Sequence, residues 1–278
     1  MPAASDKHLV EVAVCQVSLH VGEVGTNRAA ALEAVRAAAA AGARIIVLPE
    51  LTPSGYVFES PAEARSLAER ADGPTVTSWA AEAARLDVII VGGFCELGQD
   101  NLLYNSAALV DPGGVRAVYR KAHLWDAESD FFATGSAPPP VVDTQHGRIA
   151  MMICYDVEFP EWVRQPALAG ADLLAVPTNW PAEPVPPGER PMVVANVQTA
   201  AFANHMFIAA ACRVGEERGV SWVGGSLIAG PRGYPLAGPA SETEPEVLVA
   251  DCDLRSARSK ATSARNDPHR DRRPALYA

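Results

Sequence analysis

Short apolar runs alternate with Ala-rich stretches along most of the chain. "LVEVAVCQV" (9–17) reads as a strand, and "TNRAAALEAVRAAAAAG" (26–42) as a helix with Thr26 in the N-cap place and Gly42 as its stop. "ARIIVLPE" (43–50) is continuously apolar, the pattern of a strand buried on both faces. A helix over about 74–86 and the strand "DVIIVGGF" (87–94) follow. "NSAALVD" and "VRAVYRK" are then joined by Pro112-Gly113-Gly114, which predicts a hairpin.

Beyond a Pro-rich stretch at 137–140 the order recurs. "GRIAMMIC" (147–154) reads as a strand, 160–169 as a helix closed by Gly170, and "ADLLAVPTNW" (171–180) as a strand. A helix over about 190–204 precedes the strands "MFIAAACRV", "GGSLIAG" and "EVLVADCD". Two similar halves of alternating strands and helices predict a layered α/β domain over residues 1–254, with strand ends free to carry chemistry. The polar stretch 255–278 lacks an apolar core of its own and is expected to need a partner surface.

Composition narrows the functions available. The 278 residues are 49% apolar, enough for a full core, and the formal charge of −10 argues against nucleic-acid binding. Five cysteines (15, 95, 154, 212 and 252) are scattered without CxxC or Cys/His ligand spacing, so free thiols are expected and neither metal nor cofactor is called for. No signal-like apolar segment opens the chain and none is long enough to span a bilayer; a cytoplasmic, membrane-free protein is expected.

Three polar residues stand at strand ends: Glu50 after "IIVLP", Lys121 after "VYR" and Cys154 after "MMI". Singly, each has an ordinary reading as loop acid, surface lysine or core thiol. Together they form the set that acyl transfer needs: a thiolate to attack, a carboxylate to take its proton, and an ammonium to neutralise the tetrahedral oxygen. Cys154 sits where a strand turns sharply into a helix, and Pro160 fits the first turn of that helix because its missing N–H is not needed there.

"LPEL" (48–51), "RKAHLW" (120–125) and "CYDVEFPE" (154–161) resemble the three signature blocks of the nitrilase, or carbon–nitrogen hydrolase, superfamily, in its order and near its usual spacing. The likeness runs from "VAVCQV" to "GGSLIAGPRG" and the last strand. It implies a four-layer αββα sandwich, with Glu50 as general base, Lys121 as transition-state cation and Cys154 as nucleophile. It also implies that Glu128, in "AESDFFATG", orients Lys121 and the leaving group, and that the backbone N–H of Tyr155 faces the oxyanion. Tyr56, Asn179 and Trp180 are expected to border the substrate pocket. Asp156 and Arg164 are expected to pair and brace the turn. Cys212 departs from the pattern, standing where relatives commonly carry Asn before Arg-Val-Gly.

The resulting expectation is a cofactor-free thiol amidohydrolase acting on a small non-peptide amide, a primary aliphatic or amino-acid-like one. N-carbamoyl amines and nitriles are the alternatives within the superfamily. "CYDVEFPE" is closer to the amidase branches than to the Cys-Trp-Glu of true nitrilases. Outside it stand a Cys–His hydrolase using His123, His146 or His205, and a non-catalytic module on the same fold; "VGGFCELG" lacks a GxGxxG dinucleotide fingerprint. Family members pair, so at least a homodimer is expected, with 255–278 at the contact.

Overall fold

In the computed structural model, residues 9–277 are described; the reading of residues 1–8 as free of a leader, and the final Ala278, lie outside them. The first half builds β1 (Val10–Ser18), β2 (Ile45–Val47), β3 (Ile89–Leu97), β4 (Leu103–Asp111) and β5 (Gly114–Arg120). The second builds β6 (Val141–Thr144), β7 (Gly147–Met151), β8 (Leu173–Pro177) and β9 (Phe207–Ala211). Five more strands follow: β10 (Arg213–Val214), β11 (Glu216–Glu217), β12 (Val220–Ser221), β13 (Leu227–Ala229) and β14 (Pro235–Ala237), before the closing β15 (Glu246–Cys252). The helices are α1 (Val24–Ala40), α2 (Pro61–Leu67), α3 (Pro74–Leu86), α4 (Pro160–Leu168) and α5 (Met192–Asn204).

One sheet runs β10-β1-β2-β3-β4-β5, with β15 also paired to β1; the other runs β14-β13-β9-β8-β7-β6. Parallel pairs β1–β2, β2–β3, β7–β8 and β8–β9 sit at the centre of each sheet, where apolar runs are covered on both faces. Alternation along β1 divides the core. Val10, Val12 and Val14 pack toward the second sheet, whereas Ala13, Cys15 and Val17 pack against α1 and α3. Helices α4 and α5 cover the second sheet. The result is a four-layer αββα sandwich.

Boundaries moved where local chemistry outweighed pattern. Helix α1 begins at Val24 after Glu23, and Thr26 is not its cap. The neighbouring Asn27 is buried and its side chain ties His20 to the Pro53 carbonyl. Helix α2, capped by Ser60 accepting the Glu63 N–H at 3.2 Å, is an addition to the predicted elements. The strand leading to Cys154 ends at Met151, because the chain already leaves the ladder to form the turn 154–158.

The stretch from 255 onward finds a surface on its own domain. Leu254 and Ala257 are buried in the main core, Arg258 pairs with Asp172 at 3.0 Å, and Lys260 donates to the His205 carbonyl at 2.8 Å. His269 lies 3.2 Å from the Asn204 carbonyl. One buried alanine, an ion pair and hydrogen bonds to a helix's last carbonyls leave little trace in a hydropathy pattern. Among the described residues no helix is long and apolar enough to cross a membrane.

Candidate active site

Glu50, Lys121 and Cys154 each lie just past a strand, and the two sheets bring those ends together. Glu50 follows β2 in a turn whose backbone lies against Gly93 of β3. A Cβ at Gly93 would stand 2.5 Å from the Glu50 Cα, so only glycine admits the approach. Thr52 donates to the Gly93 carbonyl and Gly93 to that of Pro49, both at 2.9 Å, which locks the turn. Lys121 follows β5, its N–H bonded to the Asn105 carbonyl at 2.8 Å. Cys154 opens the turn after β7 with φ +46°, a left-handed conformation that costs a non-glycine residue about 1–2 kcal/mol. The surrounding turn must supply that energy, and the residue that takes the strain is the thiol.

The ammonium of Lys121 is the hub. It donates to Glu50 Oε1 at 2.8 Å and to Glu128 Oε1 at 2.6 Å, all three side chains essentially closed to solvent. Asn105 Nδ2 also donates to Glu50 Oε1, at 2.7 Å, and the Tyr56 hydroxyl donates to Glu128 Oε1. Glu128 Oε2 accepts the Trp125 N–H at 3.2 Å. The second oxygen of Glu50 is buried without a partner among the described residues. The Cys154 thiol donates to the Asn179 carbonyl at 3.8 Å.

Two carboxylates and one ammonium leave this buried cluster net negative, and its protons respond. Burial, reinforced by Glu128 and opposed by Lys121, pushes Glu50 up to about 7. Burial alone would discharge Lys121, but Glu50 and then Glu128 hold it above the ordinary lysine value. Burial and then Glu50 raise the Cys154 thiol well above its usual value, against the pull of Lys121, Thr178 and the Asn179 backbone. The resting site therefore holds a neutral thiol beside a carboxylate poised near neutrality and a permanent cation.

A pocket of about 190 Å³ opens onto Glu128 and Tyr56. Its walls are aromatic: Phe58, Trp125, Phe131, Phe132 and Trp222, with Asp126 at the edge. Of the cluster only Glu128 lies on this wall, not Glu50, Lys121 or Cys154, and of the expected border residues Tyr56 lies there. Asn179 turns inward, its Nδ2 donating to the Glu50 carbonyl at 2.9 Å. Trp180 is buried, its N–H bonded to Cys212 Sγ at 3.3 Å. Pro181 is bridged to Trp222, which itself lines the pocket. Tyr155 packs edge-on to Phe159, 5.0 Å between centroids. Cys212 is a core position, its own N–H donating to Ser226 Oγ at 2.9 Å.

The pairing of Asp156 with Arg164 is not made. Asp156, fully buried, accepts from Tyr119 OH (2.7 Å) and the N–H groups of His123 (3.0 Å) and Ile153 (3.2 Å), and it meets His123 Nδ1 at 2.7 Å. Arg164 instead donates to the Ala203 carbonyl at 2.9 Å. His123 thus turns to Asp156 and stacks on Phe159. His205 ends α5, and His146 stands in the turn between β6 and β7. Among the described residues no group of three or more His, Cys, Asp or Glu is placed to hold a metal.

Asn105, Trp125, Phe131, Phe132 and Trp222 were not singled out from sequence. The one available signal was Asn105, a polar side chain in a strand buried along its whole length.

Fold and site together place a buried thiol beside an acid–lysine–acid cluster. The sequence profile of the family described as "Carbon-nitrogen hydrolase" matches residues 11–262, and the chain belongs to that family. It is 38% identical over 270 residues to a nitrilase of Pyrococcus abyssi (97% of this chain, 99% of the relative). It is 36% identical over 293 residues to an N-carbamoylputrescine amidase of Solanum tuberosum (99% and 95%). Among solved structures it superposes, with TM-score 0.80 and 26% identity (98% and 97% covered), on a mutant of the amidase from Nesterenkonia sp. AN1. That mutant shows covalent addition of the acetamide moiety of fluoroacetamide at its active-site cysteine. The protein is a hydrolase of carbon–nitrogen bonds other than peptide bonds.

Proposed function

We propose that this hydrolase cleaves a small primary amide through an acyl-thioester on Cys154, releasing ammonia and then a carboxylate. The thiol gives its proton to Glu50 as the sulfur attacks the carbonyl carbon. The C=O pair moves onto oxygen, where a third N–H of Lys121 and the Tyr155 N–H stabilise it. Glu50 returns the proton to the nitrogen, which Glu128 orients; the C–N bond breaks and ammonia leaves. Water then gives a proton to Glu50 and adds to the thioester. Collapse breaks the C–S bond, and Glu50 reprotonates the sulfur.

The observation that carries this reading is the Lys121 ammonium held at 2.8 Å and 2.6 Å between two buried carboxylates, one of which keeps an unpartnered oxygen. A binding module has no use for such a cluster. The cysteine adduct of the related amidase supports the same role for Cys154. The aromatic pocket favours an uncharged, modestly apolar acyl group. Asp126 at its edge favours, as a second reading, an N-carbamoyl amine whose cationic end it would meet.

The test compares kcat/KM for a matched amide, carbamoyl compound and nitrile by ammonia release, with Cys154→Ala as control. The amide is expected to lead, the carbamoyl compound to follow and the nitrile to trail. A nitrile preferred tenfold, about 1.4 kcal/mol in barrier, would overturn the amide assignment. A carbamoyl preference would install the second reading.

A further inference from the structure

One wall of the pocket is held by residues about 160 positions further along the chain. Glu217 Oε2 accepts the N–H groups of both Tyr56 and Val57 at 2.7 Å, while its Oε1 accepts Arg213 Nη1 at 2.9 Å. Arg213 also donates to the Leu19 carbonyl, and its guanidinium lies 5.0 Å from the centre of the Trp222 ring. This ion pair is closed to water, with the side chains 0% and 2% exposed. Gly55 permits the approach: a Cβ there would lie 2.6 Å from Glu217 Oε1 and 2.4 Å from the Val21 Cα. On the outer side Arg218 donates to the Val57 carbonyl at 2.6 Å and to Glu63 at 2.7 Å. The β11–β12 hairpin therefore grips the 56–57 segment on two sides.

That segment faces the chemistry. Tyr56 and Val57 line the pocket, Trp222 meets the Tyr56 ring edge-on at 5.2 Å, and the Tyr56 hydroxyl donates to the same Glu128 oxygen that Lys121 holds. We propose that Glu217 is a positioning residue for substrate selection: its carboxylate fixes the pocket wall and, through Tyr56, the setting of Glu128. This rests on the amidohydrolase reading given above.

Both oxygens of Glu217 already face N–H donors, so Glu217→Gln must turn an NH₂ toward either Arg213 or the two backbone N–H groups. The wall then loses its anchor although side-chain volume is unchanged. The experiment measures kcat and KM, per titrated Cys154, for a series of primary amides from acetamide to acyl groups that fill the pocket. In Glu217→Gln, KM is expected to rise tenfold or more for the largest amides and less than threefold for acetamide, flattening size selectivity. Tyr56→Phe, which keeps the wall but frees Glu128, should lower kcat with KM nearly kept. Should Glu217→Gln yield no folded protein, Glu217→Asp is read instead; it keeps the charge beside Arg213 but withdraws it from the segment by one methylene, and the same trend is expected. Unchanged selectivity in the folded variant, or an equal loss of kcat for every amide with KM constant, would overturn the proposal. Wild-type protein with no Cys154-dependent ammonia release from any amide would instead overturn the reading on which it rests.

Discussion

Replacing Asp156 with Asn tests how the thiol and the lysine are held in register. Asp156 Oδ1 faces the N–H and Nδ1 of His123; Oδ2 faces the Tyr119 hydroxyl and the Ile153 N–H. An amide NH₂ in place of either oxygen confronts two groups that need an acceptor. Hydrogen bonds to a charged group are worth about 1.5–3 kcal/mol each, so two lost bonds cost about 3–6 kcal/mol. Part returns, because Asn brings no charge into a site where burial already pushes the Asp156 carboxyl up, and because the Tyr119 hydroxyl can turn to accept. A net loss of about 2–4 kcal/mol is expected, read from denaturant unfolding with unchanged m. Catalysis should suffer as well. Tyr119 and His123 flank Lys121, and Ile153 precedes Cys154, so releasing them separates nucleophile from cation. A kcat drop of about 10–100-fold is predicted from ammonia release, about 1.4–2.7 kcal/mol in barrier. Destabilisation below about 0.5 kcal/mol with kcat intact would refute the reasoning.

The pH profile follows from Glu50, raised to about 7: only its carboxylate can take the thiol proton, so kcat/KM should climb as pH passes about 7 and then level. In Glu50→Gln that limb should vanish and kcat fall by about 10²–10⁴; a limb that survives would assign it to another group. Chelator should leave activity unchanged while iodoacetamide removes it, and activity lost to chelator and restored by one divalent ion would mean the charge stabiliser is not Lys121. Light scattering should report at least a homodimer; a lone 29.3 kDa species at micromolar concentration would contradict it.

Much of this was legible in the chain because it is written locally. Continuously apolar runs such as "ARIIVLP" mark strands covered on both faces, and two such runs lead to Glu50 and Cys154, whereas Lys121 follows the more polar edge strand β5. What was not legible depends on contacts across the fold. The pairing of Asp156 with Arg164, eight positions on, was inferred from proximity in sequence, but the turn aims Asp156 back at Tyr119 and His123. Asn179 and Trp180 follow a strand, but nothing local to them records that the Asn179 carbonyl meets the Cys154 thiol and its amide the Glu50 carbonyl. The aromatic wall draws on segments far apart in the chain, and no periodicity in any one of them records that they meet.

The most direct test of the central claim is rapid-quench mass spectrometry of the wild-type protein turning over a small amide. A transient mass increase equal to the acyl group less one hydrogen is predicted, confined to the peptide containing Cys154, decaying as substrate runs out and absent in Cys154→Ala. Steady ammonia release with no such adduct at any quench time, or turnover that survives Cys154→Ala, would contradict the account.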